Sequence, residues 1–314
     1  MISVVSLLAL VLVVNPVSLV GVFRRVRPVP LLLMFPVTVL IYVLRALGWG
    51  VTLRRIGIHI SLWRTISVMF AGKTLVFLPV GDLGRVAYIE ELGAEGHDAG
   101  EVTGTIAFQE LLYMTIMGLA IVPAAVSHPD IGVLAVGLTV VQVSVFGVLL
   151  WGSAYEWALS TVERVRLLRR FHPQLKHVRP AFLHLFHPPT AAAVVVWNAC
   201  AVVAAFFLFE LALMAVGVHG ITFVQAAFIY ALGHILAALS FLPGGVGAYE
   251  GILTAFMALH GVPPSQGAAA ALLYRAFNDI LMAVVGLGAA GLLRHWAAAA
   301  ARAPRRSRRK KPAA

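Results

Sequence analysis

Ten ionisable residues interrupt or border otherwise apolar stretches of the sequence: Arg45, Lys73, Asp82, Arg85, Glu110, Glu210, His234, Glu250, Arg275 and Asp279. An ionised side chain costs about 2.5–3.5 kcal/mol to place at the centre of a membrane helix, so such residues usually face a cavity and take part in function. Arginine grips a phosphate group through two parallel hydrogen bonds, and lysine attracts it as a point charge. The carboxylates can balance the cations or carry a proton. The chemistry suits the anionic head of a lipid, and the predicted substrate-binding residues are Lys73, Arg85, Glu110, Glu250, Arg275 and Asp279.

Several of these residues also have a structural interpretation, and the sequence leaves both open. Arg275 and Asp279 are four residues apart, so they can form an ion pair within one helix that only neutralises both charges. Glu250 follows a glycine turn and is equally suited to cap the next helix. Arg85 can extend to the membrane interface, and we expect Arg45, near the end of its apolar stretch, to do the same.

Two proline–glycine motifs lie next to these residues. The first motif, Phe-Leu-Pro-Val-Gly-Asp-Leu-Gly, covers residues 77–84, and the second motif, Phe-Leu-Pro-Gly-Gly-Val-Gly, covers residues 241–247. Glycine permits tight turns and close approach of the backbone, so we predict a re-entrant turn at each motif. A phosphate-binding cradle is one use of such a turn, although a glycine turn requires no ligand. The predicted turn residues are Pro79, Gly81, Gly84, Pro243, Gly244, Gly245 and Gly247.

The composition excludes most classes of soluble protein. Hydrophobic residues make up 61% of the 314 residues, charged residues make up 12%, and the mean hydropathy is +0.92. Soluble domains are about half apolar and about a quarter charged, so a polytopic helical membrane protein remains. The apolar residues form long runs without alternation, which argues against a transmembrane β-barrel. The single cysteine, Cys200, permits no disulfide within the chain.

The predicted fold is one all-α polytopic membrane domain over residues 1–300. Six apolar stretches are long enough to cross a bilayer as helices. Two interrupted elements, residues 65–92 and 221–262, each contain one motif. Aligning the motifs gives half-repeats of residues 1–127 and 128–293, each with three spans and one broken or re-entrant element. Because three is odd, the halves face opposite ways, as in inverted-repeat transporters. The predicted spans are residues 2–23, 29–50, 103–126, 130–152, 190–218 and 267–293.

The basic residues predict the orientation in the membrane. Lys and Arg number 24 against 13 Asp and Glu, a net charge of +11. They concentrate in an amphipathic segment, residues 153–189, and in a tail, residues 294–314. The positive-inside rule places both in the cytoplasm, so both termini lie on that side of the plasma membrane. Arg24, Arg25 and Arg27 fall outside in this topology, against the rule.

The second motif and its continuation, Leu242–Gly251, resemble the Leu-Pro-Gly-Gly-x-Gly-x-x-Glu signature of the lysylphosphatidylglycerol synthase transmembrane-domain family, also called the flippase-like domain family. The first motif resembles that family's Leu-Pro-x-x-x-Gly-x-x-Arg segment, and Arg275 is similar to its arginine in the last long span. The likeness covers about residues 1–300. The family's Glu-Arg-x-x-Asp pattern is not met, since the matching stretch is Gln109–Tyr113. We expect no soluble aminoacyl-transferase domain, because a basic tail follows Leu293, so the resemblance implies a lipid-handling membrane domain.

The predicted function is that of a lipid translocase, which moves an anionic phospholipid or a polyprenyl-phosphate-linked lipid between leaflets. Two alternatives remain: a membrane component that presents lipid to a separate lipid-modifying transferase, and a secondary transporter of small solutes. The sequence contains no recognisable Ser-His-Asp arrangement, P-loop or metal-binding pair on a helix face, so we lean against enzyme activity in the chain itself. The expected partners are membrane lipids. A cofactor, a metal and nucleic acid are not expected, and the four histidines of residues 153–189 match no metal-ligand spacing.

Overall fold

Helices account for nearly all of the computed structural model, which describes residues 16–75, 84–92, 99–126, 129–164, 169, 172–240 and 245–302. This part of the chain contains no strand. A bilayer offers no water to backbone groups, so helices, which satisfy those groups internally, are the expected solution. The helices are α1 (Pro16–Phe23), α2 (Pro28–Arg55), α3 (Leu62–Gly72), α4 (Gly84–Glu91), α5 (Ala99–Val126), α6 (Pro129–Leu150), α7 (Gly152–Arg164), α8 (His172–Leu185), α9 (Pro188–Ala215), α10 (Phe223–Leu239), α11 (Ala248–Leu259), α12 (Pro264–Arg275) and α13 (Met282–Arg302).

Helices α2 and α9 match in length and in both of their ends. Each has 28 residues and begins with proline, which suits the first helical position because no hydrogen bond is needed there. Each ends before a glycine with positive φ, Gly57 at 88° and Gly217 at 76°. The residue after each glycine returns its backbone N–H to a carbonyl of the last turn. The same local signals therefore shape one long helix in each half of the chain.

These two helices form the most extensive helix–helix contact of the described chain, and they run antiparallel. Arg27, just before α2, donates its backbone N–H to the carbonyl of Ala215, at the end of α9, at 2.9 Å. Further along α2, Gly48 allows close approach to Trp197: a Cβ at Gly48 would lie 3.3 Å from the Trp197 Cβ. Equivalent helices of an inverted repeat must run antiparallel, so this packing is what the predicted repeat requires.

The interrupted elements of the two halves also correspond. Helix α3 is followed by a 3₁₀ turn, Lys73–Leu75, and further along by α4. Helix α10 leads to a turn with positive φ at Gly245 and Gly247, and then to α11. Helix α3 packs between α2 and α13, and α10 packs between α9 and α5. The interrupted element of each half thus packs against a long helix of the other half.

Four described helices are long and apolar enough to cross a membrane: α2, α5, α9 and the continuous helix formed by α12 and α13. They coincide with four of the six predicted spans. The predicted span 130–152 corresponds to α6, which qualifies only together with α7, across a bend of 103°. The predicted span 2–23 is described only from Pro16 onwards, as α1. The chain is an all-α polytopic membrane protein, while six spans and an inverted repeat stay predictions.

The basic segment 153–189 forms most of α7, all of α8 and the start of α9. Phe182 and Leu185 of α8 are buried, and the Phe182 ring meets that of Phe108 in α5 edge to face, 5.2 Å between centres. The guanidinium of Arg179 donates to the carbonyl of Leu149, near the end of α6, at 3.1 Å. An apolar face therefore docks the segment onto the spans, and its cytoplasmic location stays a prediction.

Candidate functional site: two buried ion-pair clusters

The second half of the chain places an ion pair between its short helix and its long one. Glu250, in the first turn of α11, is 0% exposed, and its Oε1 pairs with Nε of the buried Arg275 at the end of α12. The other carboxylate oxygen accepts the backbone N–H of Gly247 at 2.8 Å. The φ of Gly247 is 86°, a value that glycine adopts without strain. Nη1 of Arg275 also lies 3.9 Å from Oδ2 of Asp279, four residues on. Glu250 thus caps α11 and balances Arg275 at once.

The first half contains a corresponding ion pair. Arg85, in the first turn of α4, is 0% exposed, and its Nη2 donates to Oε1 of Glu110 in α5 at 2.8 Å. The same oxygen pairs with Nη2 of Arg45 in α2. Gln109 links the two arginines, since its Nε2 donates to the Arg45 carbonyl at 2.6 Å and its Oε1 accepts from Arg85 at 3.4 Å. Arg85 packs against Gly72, where a Cβ would lie 2.7 Å from the Arg85 Cγ.

The two ion pairs occupy equivalent positions with their charges exchanged. Glu110 and Arg275 each lie eleven residues after the first residue of their helices, α5 and α12. Arg85 and Glu250 each lie in the first turn of the short helix that follows an interrupted element. The first half therefore supplies arginine from the short helix and glutamate from the long one, and the second half supplies the reverse.

The interrupted elements supply a third pair of equivalent residues. Lys73 and His234 each lie eleven residues after the first residue of α3 and α10, respectively. Lys73 is buried. The charges of Lys73, Arg45, Glu110 and Arg275 all act on His234 within Coulombic range. The two ion-pair clusters therefore share one electrostatic environment, in which the interrupted elements of both halves take part.

The described part of this region contains more cations than carboxylates. Among the described residues, four buried cations face three buried or half-buried carboxylates, which leaves one excess positive charge. Away from water, an excess positive charge attracts an anionic group strongly. No group of three His, Cys, Asp or Glu side chains in the described chain is placed to hold a metal ion. The cations are Arg45, Lys73, Arg85 and Arg275, and the carboxylates are Glu110, Glu250 and Asp279.

Tyrosines surround the charged groups. The hydroxyls of Tyr230 and Tyr274 lie 2.8 Å apart. The Tyr249 ring lies 5.9 Å from the Tyr274 ring and 5.8 Å from that of His234, measured between centres. The Arg275 guanidinium lies 5.6 Å from the centre of the Tyr249 ring. Five of the seven tyrosines of the chain are buried here: Tyr42, Tyr113, Tyr230, Tyr249 and Tyr274.

The last long helix changes its winding beside the second cluster. Residues 276–281 form a π-helical turn between α12 and α13, and such turns frequently occur at functional sites. The Tyr42 hydroxyl donates to the carbonyl of Asn278 in this turn at 2.9 Å. Helix α12 packs against α9 and α11, whereas α13 packs against α3 and α4. The π turn therefore joins α12, which packs mainly on the second half and also touches α1, to α13, which packs on the first half.

The structure gathers the six predicted site residues into this one region, and their binding of substrate stays a prediction. The expectation that Arg45 reaches the interface is wrong. It is 7% exposed and turned towards Glu110, because α2 continues ten residues beyond it, about 15 Å, and the carboxylate is nearer. Arg85 is likewise enclosed by protein and does not extend outwards.

The predicted turn residues are only partly described. Gly245 and Gly247 adopt positive φ, as the prediction of a tight turn requires. Gly84 is instead the first residue of α4, and its role is close packing, since a Cβ there would meet the side chain of Leu75. Four predicted turn residues lie outside the described residues: Pro79, Gly81, Pro243 and Gly244.

The sequence-based prediction missed Gln109 and the tyrosines. A signal for some of them exists in the sequence, because Tyr249 and Tyr274 directly precede Glu250 and Arg275. Neighbours on a helix point in different directions, so adjacency alone did not single them out.

Two comparisons with known proteins match most of the chain. The family model described as "Lysylphosphatidylglycerol synthase TM region" matches residues 1–286. A relative described as a UPF0104 membrane protein, from Methanothermobacter thermautotrophicus, is 23% identical over an alignment 317 residues long, which covers 92% of each chain. The part of this chain that the family model matches includes every residue of the two ion-pair clusters.

Proposed function

The chain belongs to the lysylphosphatidylglycerol synthase TM region family, and on that premise we propose that it is a lipid translocase that moves an anionic phospholipid or a polyprenyl-phosphate-linked lipid between membrane leaflets. One observation carries the proposal. Among the described residues, the buried region between the two halves has one more cation than carboxylate, and three of those four cations are arginines. A lipid phosphate neutralises that excess and matches the hydrogen-bonding geometry of a guanidinium.

The exchanged ion pairs support a mechanism in which the halves act in turn. Separation of α11 from α12 releases Arg275 towards a phosphate group, and Glu250 keeps the backbone N–H of Gly247. Separation of α4 from α5 releases Arg85, and Glu110 keeps its partner Arg45. In each case the carboxylate left behind retains a hydrogen-bond donor, so neither step strands a buried charge, which would be costly. Each half can therefore open without disrupting the ion pair of the other.

Lys73→Gln tests the role of the excess charge, because neither of the two ion pairs includes Lys73. The variant removes one of the four positive charges in the described part of the region. A charge-assisted contact contributes about 1.5–3 kcal/mol, so transport of an anionic lipid at limiting lipid concentration should fall roughly tenfold to a hundredfold. The measurement is movement of fluorescent phosphatidylglycerol across vesicles that contain the purified protein.

Arg54→Gln is the matched control. Arg54 lies on α2, the helix of Arg45, but it is exposed, so its loss removes the same charge from the surface only. It should leave transport of the anionic lipid near the wild-type rate. If Lys73→Gln melts at the wild-type temperature and still transports phosphatidylglycerol at the wild-type rate, the proposed role of the buried charge is wrong.

A further inference from the structure

A buried hydroxyl next to Arg275 has no hydrogen-bond partner among the residues that the structure describes. The Tyr249 side chain is 5% exposed, and its hydroxyl oxygen is enclosed without a hydrogen bond. Proteins satisfy nearly all of their buried polar groups, and a hydroxyl that lacks a partner destabilises the fold. Phenylalanine would fill the same space without that cost. A tyrosine at this position therefore calls for a function that uses the hydroxyl.

The neighbouring tyrosines offer a second donor. The hydroxyls of Tyr230 and Tyr274 form one hydrogen bond with each other, at 2.8 Å. The Tyr230 hydroxyl also pairs with that of Tyr113, so the three hydroxyl groups carry three protons and their two shared bonds use only two of them. Together with Tyr249, the four hydroxyls thus retain two O–H donors that no described residue accepts.

Packing holds these donors in place. The Tyr230 ring meets Phe206 at 5.8 Å and the Tyr274 ring meets Phe209 at 6.1 Å, both edge to face. The Tyr249 ring lies against Tyr274. Because aromatic rings have few rotatable bonds and these are packed on several sides, the hydroxyls keep their directions without a ligand. Such a preorganised set of donors loses little conformational entropy when it binds an acceptor.

We propose that the hydroxyls of Tyr249 and of the Tyr230–Tyr274 pair donate hydrogen bonds to the phosphate ester of the transported lipid, beside the charge of Arg275. The ionised oxygens of a phosphate ester accept hydrogen bonds and donate none, so they complement the unused O–H groups. The inference rests on the proposed function for the identity of the ligand, and it names the residues that recognise the phosphate. The same chemistry suits a phosphodiester lipid and a polyprenyl monophosphate.

Tyr249→Phe removes the hydroxyl and keeps the ring over which Arg275 lies. The experiment measures the melting temperature of the purified full-length variant in an uncharged detergent, with increasing dioctanoyl phosphatidylglycerol or geranylgeranyl monophosphate. Dioctanoylglycerol, which lacks the phosphate, is the control ligand. We expect the ligand-free variant to melt at or above the wild-type temperature, and its affinity for at least one phosphate lipid to be about tenfold weaker. If Tyr249→Phe weakens the affinity for only one of the two phosphate lipids, that lipid represents the class that the site accepts.

Tyr274→Phe is the second variant and should weaken the same affinity, while Tyr155→Phe is the control. Tyr155 is also buried, but it lies on α7, where its hydroxyl accepts the backbone N–H of Arg179 at 3.4 Å. That variant should keep the wild-type affinity for both phosphate lipids. Wild-type affinity for both lipids in Tyr249→Phe and in Tyr274→Phe overturns the inference. This experiment measures binding and not transport, so the two proposals can fail separately. If the wild-type protein binds phosphate through these tyrosines but moves no lipid, the translocase proposal is wrong and the inference about the tyrosines stands.

Discussion

At the scale of single residues, aromatic rings accompany every buried cation of the site. Each of the four has a ring centre within 5.6 Å, and the negative face of a ring offsets part of the cost of removing a cation from water. The rings do not neutralise the charge, so the cations remain able to attract an anion. The pairs are Arg45 with Tyr113, Lys73 with Tyr42, Arg85 with Trp49, and Arg275 with Tyr249.

The burial of the Glu250–Arg275 pair leads to a stability prediction. Glu250→Gln keeps a side-chain oxygen for the Gly247 N–H but leaves Arg275 without its main counter-charge. Removal of one partner of a buried pair typically costs about 3–5 kcal/mol, so the variant should melt well below the wild type. Adding Arg275→Gln removes the stranded charge and should recover part of the loss. Thermal unfolding of the purified variants in detergent measures both effects.

Glu91→Gln provides the comparison for this experiment. Glu91 ends α4 and is exposed, so the same chemical change there should shift the melting temperature little. Equal melting temperatures for Glu250→Gln and the wild type would show that the pair contributes nothing to the fold.

The ionised site residues were predictable because charge in an apolar stretch is costly and therefore informative. Their partners were not. Two structural roles that the sequence left open for Glu250, capping and charge balance, coexist, because its two oxygens face different groups. The sequence places Arg45 and Glu110 on different helices, and only the packing of those helices brings the two side chains together.

At the scale of elements, the length of the apolar runs predicted the four long spans. Proline and glycine predicted where the shorter elements between those spans are interrupted. The π turn 276–281 did not, because a single widened turn leaves the hydrophobic pattern almost unchanged. The docking of α8 was also not evident, since its packing against α5 depends on a bend between α6 and α7. Local signals therefore predict where helices begin and end better than how they join.

The predicted inverted repeat gives the short helices opposite orientations. Helix α4 leads to Glu91, predicted to be cytoplasmic, and α11 leads to Pro264, predicted to lie outside; both residues are exposed. Glu91→Cys and Pro264→Cys, each combined with Cys200→Ala, should react with a membrane-impermeant maleimide from opposite sides of intact cells. Cys200→Ala alone should not react. Reaction of both cysteines from the same side contradicts the inverted repeat.

At the scale of the whole molecule, the two halves contribute different groups to one site. The long helices α2 and α9 pack antiparallel at the centre, and each interrupted element packs against a long helix of the other half. Arginine and glutamate exchange places between the halves, so in the proposed mechanism an opening on either side releases an arginine and leaves a partnered carboxylate. In the proposed mechanism the described cations outnumber the described carboxylates in both arrangements, which would attract an anionic lipid throughout its passage.

The most direct test of this account compares two lipids that differ in headgroup charge. Purified wild-type protein is reconstituted into vesicles with fluorescent phosphatidylglycerol or fluorescent phosphatidylcholine, and a membrane-impermeant reductant reports the fraction of dye in the outer leaflet over time. The account predicts that phosphatidylglycerol crosses faster than phosphatidylcholine, and faster than it does in protein-free vesicles. Equal rates for both lipids, unchanged from protein-free vesicles, would contradict it.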